Sequence, residues 1–406
     1  MYARFKGEAM LAYDRRGVGD GPGLHALIVG VSHHDHLGDG ASAKTSFGLS
    51  QLSRSARTAA TLAKLLIERA DKLICPLKTC RLMLSPAQDE ACEIDAALAH
   101  GSARLADVQA ALMDWHHDAS LREDDATLFF FCGHGIQQSV GSSYLLMQDW
   151  LGGAQQPLDR ALYLLNIYNG MRNGDHQPHM ARTQLYIVDA CRNSLGALAD
   201  FENATAAQPF LVRRGGVDDR VAPIFYSSAP GHNAWSPDPN GPTLFGGQLI
   251  SCLAGGAAEK RVVNGSKQWV VSIADLAEGL SNLTSKFNRD RGGQRIQTFA
   301  VDHQTDVDAP IHFLDGPPTV DLVLSVNPED ARIMAEIQMA PPGATPLTFG
   351  PPIDPLPYRC KVAAGTYALH VALRGNGGAA GFAPPPDEYI AVKGPAFEHV
   401  VSMSPL

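Results

Sequence analysis

The chain is poor in whatever would tie it to a membrane or a polyanion. Its apolar runs, such as Leu128–Cys132, are strand-length, far short of the roughly 20 residues that cross a bilayer. No run of Lys or Arg tracks a phosphate backbone, and the formal net charge is −9, which argues against nucleic acid as a ligand. The opening stretch MYARFKGEAMLAYDRR holds no continuous apolar segment of the kind a secretory leader needs. Seven cysteines, an odd number, are scattered with no C-x-x-C pair. That argues against a zinc knuckle or a disulfide framework and fits free thiols in a reducing compartment. No acidic calcium loop, no G-x-S-x-G elbow at a strand-to-helix turn and no long-period repeat is visible. The expectation is a cytoplasmic protein with no membrane segment, no nucleic-acid partner, no cofactor and no metal.

What is present points to a packed α/β chain. Apolar residues make up 45% and charged residues 18% of 406 positions, enough for a substantial core and comfortable for two domains. Leu24–Val31 is a continuous apolar run that reads as a buried strand, and residues 53–70 carry helical spacing through Leu62, Leu65 and Leu66. A strand at 81–84 and a helix at 104–117 follow, the latter with Leu105, Val108, Leu112 and Trp115 on one face. Strands are expected at 126–132, 144–148, 183–190, 222–227 and 295–301, and helices at 158–171, 243–253 and 273–288. Such alternation implies a mainly parallel sheet covered on both faces, with sites outside the carboxyl ends of its strands. Past Asp315-Gly316-Pro317-Pro318 the pattern changes to short alternating runs between Pro- and Gly-rich turns, as in Val320, Leu322, Leu324 and Val326. That reads as a small all-β, sandwich-like domain.

Two of the buried strand patterns stop at a reactive side chain. ATLFFFCGHG ends in His134, and TQLYIVDACRN in Cys191, 57 residues later. A thiol attacks a carbonyl well only as thiolate, so it needs a base beside it. His134 lies between Gly133 and Gly135, which let the backbone turn and approach a substrate closely. The Gly135 N–H is a candidate to hold an oxyanion. The run His33-His34-Asp35-His36 reads as a polar loop at the mouth of the site, since adjacent residues rarely converge on one ion. His116-His117 ends a helix, and His176 and His179 fall in a polar loop with no evident role.

FFFCGHG and YIVDACRN, joined by FYSSAPGHNAW at 225–235, resemble the histidine, cysteine and substrate-loop motifs of the caspase-like clan of cysteine proteases. The likeness covers roughly residues 21–310. It implies a three-layer caspase-like fold with a mainly parallel six-stranded sheet. It divides the chain into an N-terminal extension (1–20), a peptidase domain (21–310, with a large-subunit-like part 21–195, a linker 196–219 and a small-subunit-like part 220–310) and the β domain (316–406). It implies that Cys191 is the nucleophile, His134 the base and Gly135 an oxyanion donor, with Tyr226, Ser227 and Trp235 lining the substrate cleft. Caspases that cut after Asp use an Arg following the Ser-Trp of the substrate loop, and here Trp235 is followed by Ser236-Pro237. Asp189, two residues before the thiol, matches an acid that metacaspases set against a basic P1 residue. Their early Asn-Asp-Ala motif is Ser-Ala-Arg-Thr-Ala here (55–59), with no acid. The resemblance thus favours a basic P1 over Asp, leaves a small or apolar P1 open, and leaves Asp189 the other role of orienting the strand end. Arg213-Arg214 reads equally as a self-cleavage site and as a solvated basic pair. The function expected is a cysteine endopeptidase acting on proteins, activated by a partner or by self-cleavage, in a bacterial stress or defence setting. The alternative is an inactive scaffold whose β domain binds a partner.

Overall fold

The structure, a computed structural model, describes residues 11–38, 47–139, 142–152, 156–174, 177–192, 205–212, 218–229, 241–263, 265–291, 296–303, 307–350, 357–374 and 381–406. Trp235, Arg213, Arg214 and His176 lie outside them. The chain divides into two compact units: Met1–Ile250 with Leu280–Ile311, and Ser251–Gly279 with His312–Leu406.

The first unit opens with β1 (Leu11–Asp14), β2 (Leu24–Val31), α1 (Ser55–Glu68), β3 (Leu77–Ser85), a single helical turn α2 (Gln88–Ala91) and β4 (Gly101–Ser102). It continues with α3 (Leu105–Ala119), β5 (Ala126–Cys132), β6 (Gly135–Ser139), β7 (Ser142–Leu146), β8 (Ala161–Tyr163) and α4 (Leu164–Gly170). Then come β9 (Thr183–Asp189), β10 (Ile224–Tyr226), α5 (Leu244–Ser251), the later part of α6 (Ile273–Asp290) and β13 (Ala300–Asp302). The main sheet runs β1-β3-β2-β5-β9-β10-β13, with β4 paired to β3. It has eight strands, not six, the additions being β1, antiparallel on β3, and the two-residue β4. The five strands from β3 to β10 are mutually parallel, and β13 closes the far edge antiparallel.

Parallel strands buried on both faces need apolar residues at every position, and all eight residues of β2 are buried. One face gathers Leu27, Val29, Phe129, Phe131, Tyr186 and Val188 with Val108, Leu112 and Trp115 of α3. Fully burying each of these large side chains is worth about 1.5–3 kcal/mol. The alternate residues meet α1, and Gly30 shows how closely: a Cβ there would stand 2.6 Å from the Ala59 Cβ and 2.7 Å from the Ser55 carbonyl oxygen. Gly30, Ala56 and Ala59 together let helix and sheet touch at backbone distance.

After β5 the chain builds a small antiparallel sheet, β6-β7-β8. Residues 158–171 do not form one helix. Arg160 takes φ 63, and Leu158 and Ala161 join Ile136, Leu146 and Trp150 in a separate apolar cluster. β8 therefore precedes a short α4.

The second unit holds a π-helical turn, Cys252–Gly256, then β11 (Glu259–Val263) and β12 (Ser266–Ser272). These two pair antiparallel, and neither is among the strands expected above. Later come β14 (Pro310–Leu314), β15 (Thr319–Asn327), β16 (Ala335–Ala340), β17 (Leu347–Phe349), β18 (Tyr358–Ala363), β19 (Gly365–Leu373), β20 (Phe382–Ala383), β21 (Glu388–Val392), β22 (Ala396–Ser402) and β23 (Ser404–Pro405). The sheets β18-β15-β22 and β17-β16-β19-β21 share one core, in which Val320, Leu322 and Leu324 meet Ile337, Leu369 and Val371. Glu329–Ile333 is a turn of 3-10 helix, so β16 begins only at Ala335.

Candidate active site

β5 and β9 are neighbours in constant register, from Ala126↔Thr183 to Cys132↔Asp189. That offset of 57 residues is also the distance in sequence from His134 to Cys191. His134 and Cys191 therefore leave adjacent parallel strands at the same height. The Gly133 N–H donates to the Asp189 carbonyl at 3.2 Å, holding the two strand ends together beyond the ladder. A Cβ on Gly135 would lie 2.7 Å from the Cys191 carbonyl oxygen and 2.9 Å from the Ala190 Cβ, so the residue after the histidine touches the cysteine backbone.

His134 is nearly buried, at 7% exposure. Its Nε2 lies 2.7 Å from the Ser50 carbonyl oxygen. A carbonyl only accepts, so Nε2 carries the proton and Nδ1 of the neutral ring carries the lone pair. Burial pulls the imidazole pKa below its ordinary value, and the bond to Ser50 opposes that. The His134 carbonyl accepts from the Leu146 N–H at 3.0 Å, while Gly135 stands opposite Leu145. This is a non-hydrogen-bonded antiparallel pair, which leaves the Gly135 N–H out of the β7 ladder.

Cys191 is half-buried, set between Ala190 and Arg192, at 2% and 3% exposure. The Ala190 carbonyl accepts from the hydroxyls of Ser228 at 2.9 Å and Ser227 at 3.4 Å. The Arg192 guanidinium lies 3.9 Å over the Tyr226 ring and 3.5 Å from Asp302. Burial pushes the Tyr226 hydroxyl up to about 12. Tyr226 and Ser227, expected to line the cleft, are buried directly beneath the cysteine's strand end. Trp235 lies outside the described residues.

Asp189 is also brought to this edge, but inward. It is buried and accepts from the Thr243 hydroxyl at 2.5 Å and the Cys132 thiol at 3.6 Å. Burial raises its pKa; the Thr243, Ser227 and Cys132 side chains and the Gly246 N–H pull the other way. The carboxylate thus ties the end of β9 to the start of α5.

One residue of the site carries no pattern signal. In the run 33–36 the sequence suggests an open polar loop, yet His34 is fully buried, with its ring centroid 5.3 Å from that of His134. Among the described residues no group of three or more His, Cys, Asp or Glu side chains is placed to hold a metal ion, and no helix is long and apolar enough to cross a membrane.

The curated "Uncharacterized protein y4kE" of Sinorhizobium fredii (strain NBRC 101917 / NGR234) is 24% identical over 239 residues, covering 58% of this chain and 65% of that protein. Among solved structures, caspase-1 from Spodoptera frugiperda aligns at 13% identity and a TM-score of 0.40, over 73% of this chain and 96% of that one. The protein GSU0716 from Geobacter sulfurreducens aligns at 13% identity and a TM-score of 0.40, over 70% and 95%. The family model of the caspase domain (peptidase C14) matches residues 25–299, a span that contains both strand ends, and the chain belongs to the caspase domain family.

Proposed function

We propose that this protein is a cysteine endopeptidase with Cys191 as nucleophile and His134 as general base. The observation that carries the reading is the common register of the two residues on β5 and β9, combined with a His134 ring whose Nε2 is already held by Ser50. Nδ1 is then the ring atom left to take the thiol proton. The thiolate attacks the scissile carbonyl carbon, and the Gly135 N–H meets the developing oxyanion. The His134 imidazolium returns its proton to the leaving amine, and water, deprotonated by the same nitrogen, then hydrolyses the thioester.

For the P1 side chain the reading favours Arg or Lys over Asp. Asp189 is the buried acid two residues from the sulfur, and a basic group reaching it would find a carboxyl group to pair with. A second reading has support in the carboxylate's own contacts. Thr243, Ser227, Cys132 and the Gly246 N–H all interact with it, which suits an anchor for the strand end. A positional-scanning peptide library on wild type, Cys191→Ala and Asp189→Asn separates these. Cleavage after Arg or Lys that vanishes in Cys191→Ala supports the peptidase, and its selective loss in Asp189→Asn supports the pocket. Unchanged basic preference in Asp189→Asn leaves Asp189 as an anchor. Cleavage that survives Cys191→Ala, or no cleavage and no labelling of Cys191 by a peptide acyloxymethyl ketone, overturns the peptidase reading in favour of a scaffold.

A further inference from the structure

We infer that His34 is a positioning residue for His134, holding the base's ring so that Nδ1 faces the thiol, with Gln51 locking the arrangement; the inference rests on the peptidase reading above. His34 is fully buried, and its ring lies across that of His134 at 5.3 Å with the planes 32° apart. Trp150 meets the same ring edge-on at 6.4 Å. The Nδ1 of His34 stands 3.0 Å from the Met147 carbonyl oxygen, so Nδ1 carries the proton and Nε2 the lone pair. That Nε2 is buried with no hydrogen-bond partner among the described residues. A buried acceptor without a donor is a cost an apolar side chain of similar size would avoid, so packing alone does not account for a histidine here.

The connections close into a circuit. Ser50 accepts from Nε2 of His134. Its neighbour Gln51 accepts from the His34 N–H at 2.7 Å and donates to the His34 carbonyl at 2.7 Å. On the opposite side the Leu146 N–H holds the His134 carbonyl, and the next residue, Met147, holds the His34 ring. Residues 50–51 and 146–147 thus each grip both histidines. When His134 takes the thiol proton, its positive ring faces a neutral ring whose lone pair is uncommitted. Burial, with His134 itself as a neighbour, pulls the His34 imidazole down to about 3, so His34 does not compete for that proton. Of the adjoining titratable residues of this loop, Asp35 pairs with Arg104 at 2.5 Å, and His33 adds to the lowering of the His34 imidazole.

The test is the rate of Cys191 alkylation by iodoacetamide, read at that residue by mass spectrometry because Cys92 is an exposed thiol. It is measured in wild type, His134→Ala, His34→Phe, Gln51→Ala and the double variant His34→Phe/His134→Ala. His34→Phe keeps a ring in place. We expect His34→Phe and Gln51→Ala each to slow alkylation about tenfold toward the His134→Ala rate, and the double variant to be no slower than His134→Ala alone. Peptide turnover should lose kcat with KM within about twofold. Wild-type rates in His34→Phe, or an equal loss on the His134→Ala background, overturn the inference. If His34→Phe does not fold, Gln51→Ala alone and combined with His134→Ala decides it in the same way. Alkylation needs no peptide substrate, so a wild-type chain that neither cleaves peptides nor is labelled at Cys191 by the acyloxymethyl ketone sinks the peptidase reading while the alkylation series still decides the role of His34.

Discussion

Gly135 has no room for a side chain. A Cβ would press on the Cys191 carbonyl oxygen at 2.7 Å, and backbone cannot yield as a flexible side chain does. Gly135→Ala is expected to cost about 1–3 kcal/mol and to lower kcat by about a hundredfold, measured by urea unfolding and by turnover per titrated thiol. His34 gives a prediction of a different kind. Its folded value of about 3 lies below the roughly 6.5 of an unfolded histidine. Between those limits the unfolded chain binds one more proton, so stability falls with falling pH by about 1.4 kcal/mol per pH unit. His134 acts in the same sense, and Asp189, its carboxyl pushed upward by burial, in the opposite one. His34→Phe should therefore flatten the stability–pH curve by one proton between about pH 6 and pH 4, read from urea midpoints. An unchanged slope would mean that His34 takes up its proton in the folded state. The positions of Cys191 and His134 at neighbouring strand ends are legible in the sequence because each follows an apolar strand run. His34 is not, since HHDH looks solvated until Gln51 and Met147, distant in the chain, fold over it.

Among the elements, the contact of β2 with α1 and the tie of β9 to α5 are the most exposed to mutation. Gly30→Ala would drive a methyl into Ala59 and the backbone of Ser55, costing about 1–3 kcal/mol, seen as a lower denaturation midpoint. Thr243→Val keeps the shape but removes the hydroxyl that Asp189 accepts from and that the Gly246 N–H donates to. About 1–3 kcal/mol should be lost; a neutral result would show that water replaces the hydroxyl. The parallel strands are legible because burial on both faces leaves unbroken apolar runs. Residues 158–171 mislead because their apolar spacing also serves a strand and a loop facing the Trp150 cluster. The β11–β12 hairpin does carry a signal in Asn264-Gly265 between two β-branched runs. The partner of Asp189 carries none, because Thr243 is 54 residues away.

At the scale of the whole molecule, the second unit is discontinuous, taking in Ser251–Gly279 before resuming at His312. A change of composition near residue 316 marks where its later segment begins but not that an earlier one belongs with it. Truncation at residue 315 would leave the earlier segment without its core, in which Trp269 packs against the cluster around Val320 and Ile337. The truncated chain should show new protease-sensitive sites within 251–279 in limited proteolysis. If that segment stays as resistant as in the full chain, it does not depend on the later one.

The interleaving also sets an order of events at the ribosome. β13, the edge strand of the main sheet, is residues Ala300–Asp302, so it is synthesised only after the first segment of the second unit. Domains generally fold as units while the chain emerges, but here the nascent sheet waits with the outer edge of β10 bare, and Ser251–Gly279 emerges before the remainder of its own unit has been translated. The first unit is thus held open until elongation has passed residue 311, and the second until its later segment from His312 follows; slow translation of the stretch before residue 311 would prolong the interval in which the unfinished edge can pair with another chain.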